Sequence, residues 1–218
     1  MKELLETALP QSYGSKQKIS VIEECQEGTF GVTDPKSCND CKIRSSYFYL
    51  SCNDRKVSIH RSSIPVNIIR LEDVFQQFKK VQALKEGGCC DILMYTKDEI
   101  VVMDMTCSRP DYINNHEGVD GTIKAGKRAV AYQQIADSIR KLRKCDAIRM
   151  QLDSYQSRVA IFAVRRKKFA LEESESVVTK AMKSFSKIIE LEIGMVTRIE
   201  MGNGFSFIVQ EYPDVFVW

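Results

Sequence analysis

The chain has 218 residues, of which 44% are hydrophobic and 28% charged, enough apolar material for a packed core and too much for wholesale disorder. Its 32 Lys+Arg against 29 Asp+Glu leave a net charge of +3, which permits nucleic-acid binding without announcing it. No stretch approaches the ~20 apolar residues of a membrane span, and the opening Met1, Lys2, Glu3, Leu4, Leu5, Glu6 alternates charge with leucine, so neither membrane association nor a secretory signal is expected. The expected compartment is the reducing cytoplasm, where the eight cysteines serve metal binding, catalysis or packing rather than disulfides.

Residues 2–9 read as a short helix ended by Pro10, and residues 19–22 as a strand. Two β-rich runs, 47–52 and 56–60, flank the polar Asn53, Asp54 and Arg55 and read as a hairpin. Pro65 separates this β-rich appendage, residues 1–64, from a core expected over residues 65–218. Leu71, Val74, Phe75, Phe78, Val81 and Leu84 form a helical stripe over residues 71–84, closed by Gly87 and Gly88. Strands are expected over 90–96 and 99–107, a loop over 108–121, a helix over 122–143, a strand over 157–164 and a helix over 172–191. Two last strands, 195–201 and 205–210, are joined by Gly202, Asn203 and Gly204. The order is that of an α/β or α+β domain with helices against a mixed sheet. The terminal Trp218 is expected to dock on the chain's own core.

The strands around Lys97 and Asp98 carry the most chemical information. A hairpin with those two residues as its loop puts Tyr95 opposite Ile100 and Asp91 opposite Asp104. Directly opposed Cβ atoms lie about 4.5–5.5 Å apart. Two aspartates there repel, so one is protonated, a cation sits between them, or both lie at a solvated rim. Aspartate is also a poor strand former, and a broken local rule marks a candidate site. A pair of carboxylates is what Mg²⁺ or Mn²⁺ uses, with waters and substrate phosphates completing the shell. The competing reading makes Asp91 a cap at the strand start.

A helix, a strand with Asp91, a strand with Asp104, a basic helix carrying Gln134 and a further strand together resemble the PD-(D/E)XK nuclease-like superfamily over roughly residues 71–164. The resemblance implies a restriction-endonuclease-like mixed sheet flanked by helices and a metal-dependent endonuclease. By position, Asp91 and Asp104 match its metal-binding acids, and Glu72 falls where some members carry a further metal-binding acid. Gln134 matches a helix glutamine found in several branches. Thr106 stands where the family's lysine is expected. That charge moves to the next helix in some branches, which makes Lys127, seven residues before Gln134 on one helix face, the candidate replacement, ahead of Lys124. The basic run from Arg140 to Lys168 would then track a phosphate backbone.

The sequence holds no Walker loop and no dinucleotide glycine fingerprint. With the resemblance, this suggests a nuclease or nuclease-like subunit of a prokaryotic antiphage or restriction system, acting on DNA in preference to RNA beside a protein partner such as an ATPase subunit. Homo-oligomerisation stays open. The alternative is a catalytically inactive copy of the fold that binds nucleic acid or a partner protein.

Cys38 and Cys41 form a C-x-x-C; with Cys52 and either Cys25 or His60 they could enclose a structural Zn²⁺. Buried free thiols are the competing reading. Cys89, Cys90, Cys107 and Cys145 are read as packing residues.

Overall fold

The structure is a computed structural model that describes residues 1–32, 57–78, 81, 84, 87–108, 112–118, 121–166, 198–212 and 214–218. The elements, numbered here in chain order over these residues, begin with α1 (Lys2–Glu6), α2 (Ala8–Ser12), β1 (Glu23–Val32), β2 (Val57–Arg70) and α3 (Leu71–Gln76). There follow β3 (Ile92–Tyr95), β4 (Glu99–Ser108), β5 (His116–Glu117), β6 (Ile123–Lys124), α4 (Lys127–Arg143) and α5 (Asp146–Ser154). The chain finishes with β7 (Ser157–Arg166), β8 (Ile199–Glu200), β9 (Ser206–Glu211) and β10 (Val215–Val217). This is a mixed α+β architecture. Among the described residues no helix is long and apolar enough to cross a membrane.

The main sheet runs β1-β2-β3-β4-β7-β9-β8, with β10 added in parallel to β2. The β2–β3–β4 meander is antiparallel, whereas β4, β7 and β9 are parallel. The β4-to-β7 connection carries α4 and α5, the helical crossover that parallel strands require. Ile100, Val101, Val102 and Met103 of β4 are all fully buried, as befits a central strand covered on both faces.

Alternation along the strands divides the core in two. Leu93, Ile100, Val102, Ala160, Phe162 and Phe207 face the helices, where Leu5, Leu9, Val74, Ile135, Ile139 and Leu152 meet them. Met94, Val101, Met103, Ile161 and Ile208 face the opposite way, against Phe30, Val32, Ile59, Phe216 and Trp218. The bend of the β1–β2 hairpin makes this second layer. Its register jumps between Gln26 paired with Val66 and Gly28 paired with Arg61, and Gly28 has φ +70°. Such a bulge turns a strand, and Pro65, with no N–H to donate, sits in the unpaired stretch. Past this bulge β10, just after β9, pairs with residues 58–60 of β2, and Trp218 docks on its own chain as expected.

Several expectations need correction. The 64/65 boundary falls inside β2, so β1 and β2 belong to the central sheet rather than to a separate appendage. Pro10 does not end a helix but lies in the first turn of α2, where its missing N–H has no intrahelical acceptor to lose. Residues 19–22 are not a strand. Helix α3 ends at Gln76; beyond it the N–H groups of Phe78, Val81 and Leu84 each donate to the carbonyl three residues back, Leu84 is again helical, and residues 79–80, 82–83 and 85–86 lie outside the described residues. Helix α4 starts at Lys127 rather than residue 122, and α5 was not anticipated. The 47–52 strand and the 172–191 helix lie outside the described residues.

Candidate functional site

The hairpin register is the expected one. Tyr95 pairs with Ile100 and Ile92 with Met103, and the Thr96 N–H donates to Glu99 O across the Lys97–Asp98 loop. Continued one step past the end of β3, this register would set Asp91 opposite Asp104, on the face turned to the helices. Asp104 is 8% exposed and Asp91 half-buried.

Asp91 sits just before β3 because it is tied to two neighbours. Its carbonyl accepts the Leu71 N–H at 2.9 Å and the Glu72 N–H at 3.4 Å, at the start of α3. Its Oδ2 accepts the Met105 N–H at 2.7 Å, replacing the ladder partner that a longer β3 would have supplied. Asp91 is thus a strand-end cap as well as half of the acidic pair. Glu72 lies in the first turn of α3 and accepts from Gln76 Nε2 at 2.6 Å. Among the described residues no three His, Cys, Asp or Glu side chains gather into a group able to hold a metal, so Glu72 does not complete a three-acid set here. The opposed pair alone fits the one or two carboxylates that Mg²⁺ takes from a protein.

The segment leading into Asp91 is gripped by α4. The Gly88 N–H donates to Asp137 Oδ2 at 2.8 Å, the Cys90 N–H to Ser138 Oγ at 2.8 Å, and Lys141 Nζ donates to Gly88 O at 2.9 Å. Gln133 and Arg140 hold Asp137 Oδ1 at 2.9 and 2.7 Å. Asp137, Ser138 and Lys141 are all buried, and the Lys141 ammonium also lies 5.4 Å from the Phe75 ring centroid. The glycines allow this approach: a Cβ on Gly88 would come within 2.7 Å of Gln134 Cα, and Gly87, at φ +72°, would meet Asp137 Oδ2 at 2.4 Å. Gln134 therefore packs beside the acidic segment, partly buried. Lys127, exposed in the first turn of α4, lies on the same helix flank as Gln134 and Lys141 by seven-residue spacing. The sequence reading missed Asp137, Ser138 and Lys141; the paired glycines were the available signal of close helix approach.

Burial pushes the Cys89 thiol up to about 12, and that of Cys90 well above its ordinary value, with Asp91 adding to both shifts. Neither is a nucleophile at neutral pH. Cys90 and Cys145 are buried and Cys89 partly so, as packing residues would be; the Cys107 side chain lies outside the described residues.

The zinc residues divide. Cys38, Cys41 and Cys52 lie outside the described residues. Cys25 is exposed on β1 opposite Asn67, while His60 on β2 pairs with Thr29 and Val217.

The basic run is not one open face. Arg143 holds Asp153 through both nitrogens at 2.5 and 3.2 Å, Arg158 reaches Asp153 and Asn203 O, and Arg149 pairs with Asp146. These guanidiniums, Arg143 first, hold the Asp153 carboxyl below its ordinary range.

No protein-family model matches the chain, and no curated protein or solved structure gives a significant match.

Proposed function

We propose that the chain is a metal-dependent phosphodiesterase acting on nucleic acid, with a core akin to the PD-(D/E)XK nucleases. What carries this reading is the β3–β4 register, which, continued one step past Ile92 and Met103, sets Asp91 opposite the buried Asp104 on the helix-facing side. The order of antiparallel β3 and β4, a helical crossover and a parallel β7 supports it further. Mg²⁺ or Mn²⁺ bound to the pair would activate a water and draw charge from the scissile phosphate. Asp91 and Asp104 hold and orient the ion. Gln134, beside the acidic segment, positions the phosphate, and Lys127, along the same flank, meets the charge that develops on it. Asp137, Ser138 and Lys141 are positioning residues that fix the backbone carrying Asp91. Structural Zn²⁺ on Cys38, Cys41, Cys52 and one of Cys25 or His60 belongs to the same proposal. So does a separate ATPase partner in a prokaryotic defence assembly, since the sequence has no phosphate-cradling glycine loop.

The test is cleavage. Wild type incubated with plasmid or RNA in Mg²⁺ or Mn²⁺ cuts the substrate, and Asp104→Asn, with an unchanged melting profile, loses at least about 100-fold in rate. Equal rates in the two proteins would overturn the assignment. A second reading, an inactive copy that only binds, is favoured by Thr106 in the lysine position and by the strand-capping role of Asp91. Retained binding without cleavage by wild type would select it.

A further inference from the structure

On the other flank of α4 lies a pocket of about 550 Å³, lined by Asn114, Asn115, Arg128, Ala129, Tyr132, Ile199 and Phe207. Its residues are chemically mixed in an ordered way. Arg128 lines it from the first turn of α4, half-buried, with no acidic partner among the described residues. Its backbone N–H is already used by Ile113 O at 2.9 Å, which fixes the turn and leaves the guanidinium as the group on offer. Tyr132, one turn further, is half-buried and packs edge-on against Phe207 with ring centroids 5.3 Å apart and planes at 71°. Asn115 Oδ1 accepts the Gly126 N–H at 3.0 Å, so its amide group is oriented with its NH₂ left to donate. Gly126 is buried where a Cβ would lie 2.2 Å from the Asn114 backbone, so the close seam between the 113–115 loop and α4 needs glycine. Ile199 closes the apolar side and is itself 37% exposed.

A cation in the lining, an aromatic and aliphatic wall and an oriented amide suit a ligand with an anionic group next to a flat ring. We propose that this pocket receives one nucleotide of a single-stranded nucleic acid. The base stacks against Tyr132 and Ile199, the Asn115 amide donates to a base carbonyl or ring nitrogen, and Arg128 pairs with the adjoining phosphate. A duplex would not offer an unstacked base, so the pocket selects single strands. The inference rests on the nucleic-acid reading above but not on cleavage: Asp91 and Asp104 lie on the β3–β4 side of α4, and Arg128 and Tyr132 on the β9 side.

The experiment measures binding in EDTA, where cleavage is silent. Fluorescence anisotropy follows a labelled 12-nucleotide single-stranded DNA, the same sequence as RNA, and the matching DNA duplex. Wild type binds the single strands more tightly than the duplex. Arg128→Ala and Tyr132→Ala each weaken single-strand binding by about 5- to 50-fold, and Tyr132→Phe retains it. Ala129→Glu, an exposed substitution that leaves the Tyr132–Phe207 contact alone, also weakens it and covers the case in which Tyr132→Ala unfolds. Binding by Ala129→Glu and Arg128→Ala equal to wild type, or a wild-type preference for the duplex, would overturn the proposal. Loss of binding in these variants while wild type fails to cleave would refute the phosphodiesterase reading and leave the pocket standing. Unchanged binding with intact cleavage would do the reverse.

Discussion

Gly88 has backbone room for a hydrogen atom and nothing larger. A Cβ there meets Gln134 Cα at 2.7 Å, and backbone on both sides leaves little to give. Gly88→Ala is therefore expected to cost about 1–3 kcal/mol, read as a shift in the urea midpoint, as overpacked sites do. Ser138→Ala tests the same seam from the helix side. It removes the acceptor of the buried Cys90 N–H, and leaving that donor unmet costs about 1–3 kcal/mol. A urea midpoint equal to wild type would show that the α4 grip does not hold this segment. The sequence alone could not assign these roles. Asp137, Ser138 and Lys141 look like the solvated face of a basic helix, and only the tertiary approach of Gly87 and Gly88 turns that face inward. Asp104 was legible for the opposite reason: a lone acid in a run of valine, isoleucine and methionine stands out in any strand.

At the scale of elements, the β3–β4 hairpin is the part most fully written in the sequence, because a two-residue loop leaves one register and strand alternation then assigns every side chain to a face. The end of β3 was not legible, since it depends on the Asp91 side chain taking the place of a backbone partner for Met105. That contact separates structure from chemistry. Asp91→Asn keeps an oxygen for the Met105 N–H and should melt within about 0.5 kcal/mol of wild type while losing metal-dependent activity. Asp91→Ala loses the acceptor as well and is expected to cost about 1–3 kcal/mol. Equal thermal stability of the two variants would deny the capping role. Helix boundaries were less legible: a stripe at residues 75, 78, 81 and 84 fits a continuing α-helix and tight i→i+3 turns equally well, and the i→i+3 hydrogen bonds of Gln77 and Phe78 mark where α3 ends.

At the scale of the molecule, the described basic residues from Arg140 to Arg165 are engaged in pairing or packing. Asp137, Asp146 and Asp153 answer Arg140, Arg149, Arg143 and Arg158. Lys144 lies 4.5 Å from the Tyr13 ring centroid and Arg165 4.8 Å from that of Tyr212. Salt sensitivity of nucleic-acid binding should accordingly be shallower than the count of lysines and arginines suggests. Buried thiols and phenols set the alkaline limit of the fold. Cys89 has its pKa raised from 9.0 to about 12, chiefly by burial, and Tyr95 is raised by burial and by its hydrogen bond to Glu23. A raised folded pKa means the unfolded chain gives up its proton first. For Cys89 this contribution is therefore fully present below pH 9 and is lost as pH climbs from about 9 to 12, at about 1.4 kcal/mol per pH unit; for Tyr95 the loss begins only as pH climbs past 10. Urea titrations at pH 8, 9.5 and 10.5 should show stability falling across the last two, and Cys89→Ser should flatten that fall. In the proposed mechanism Asp91 and Asp104 together hold a divalent cation. Titration with Mn²⁺ followed by electron paramagnetic resonance tests it most directly. Wild type should bind the ion, and Asp91→Asn and Asp104→Asn, folded as wild type, should each weaken that binding at least about tenfold; binding that is unchanged in both variants would contradict it.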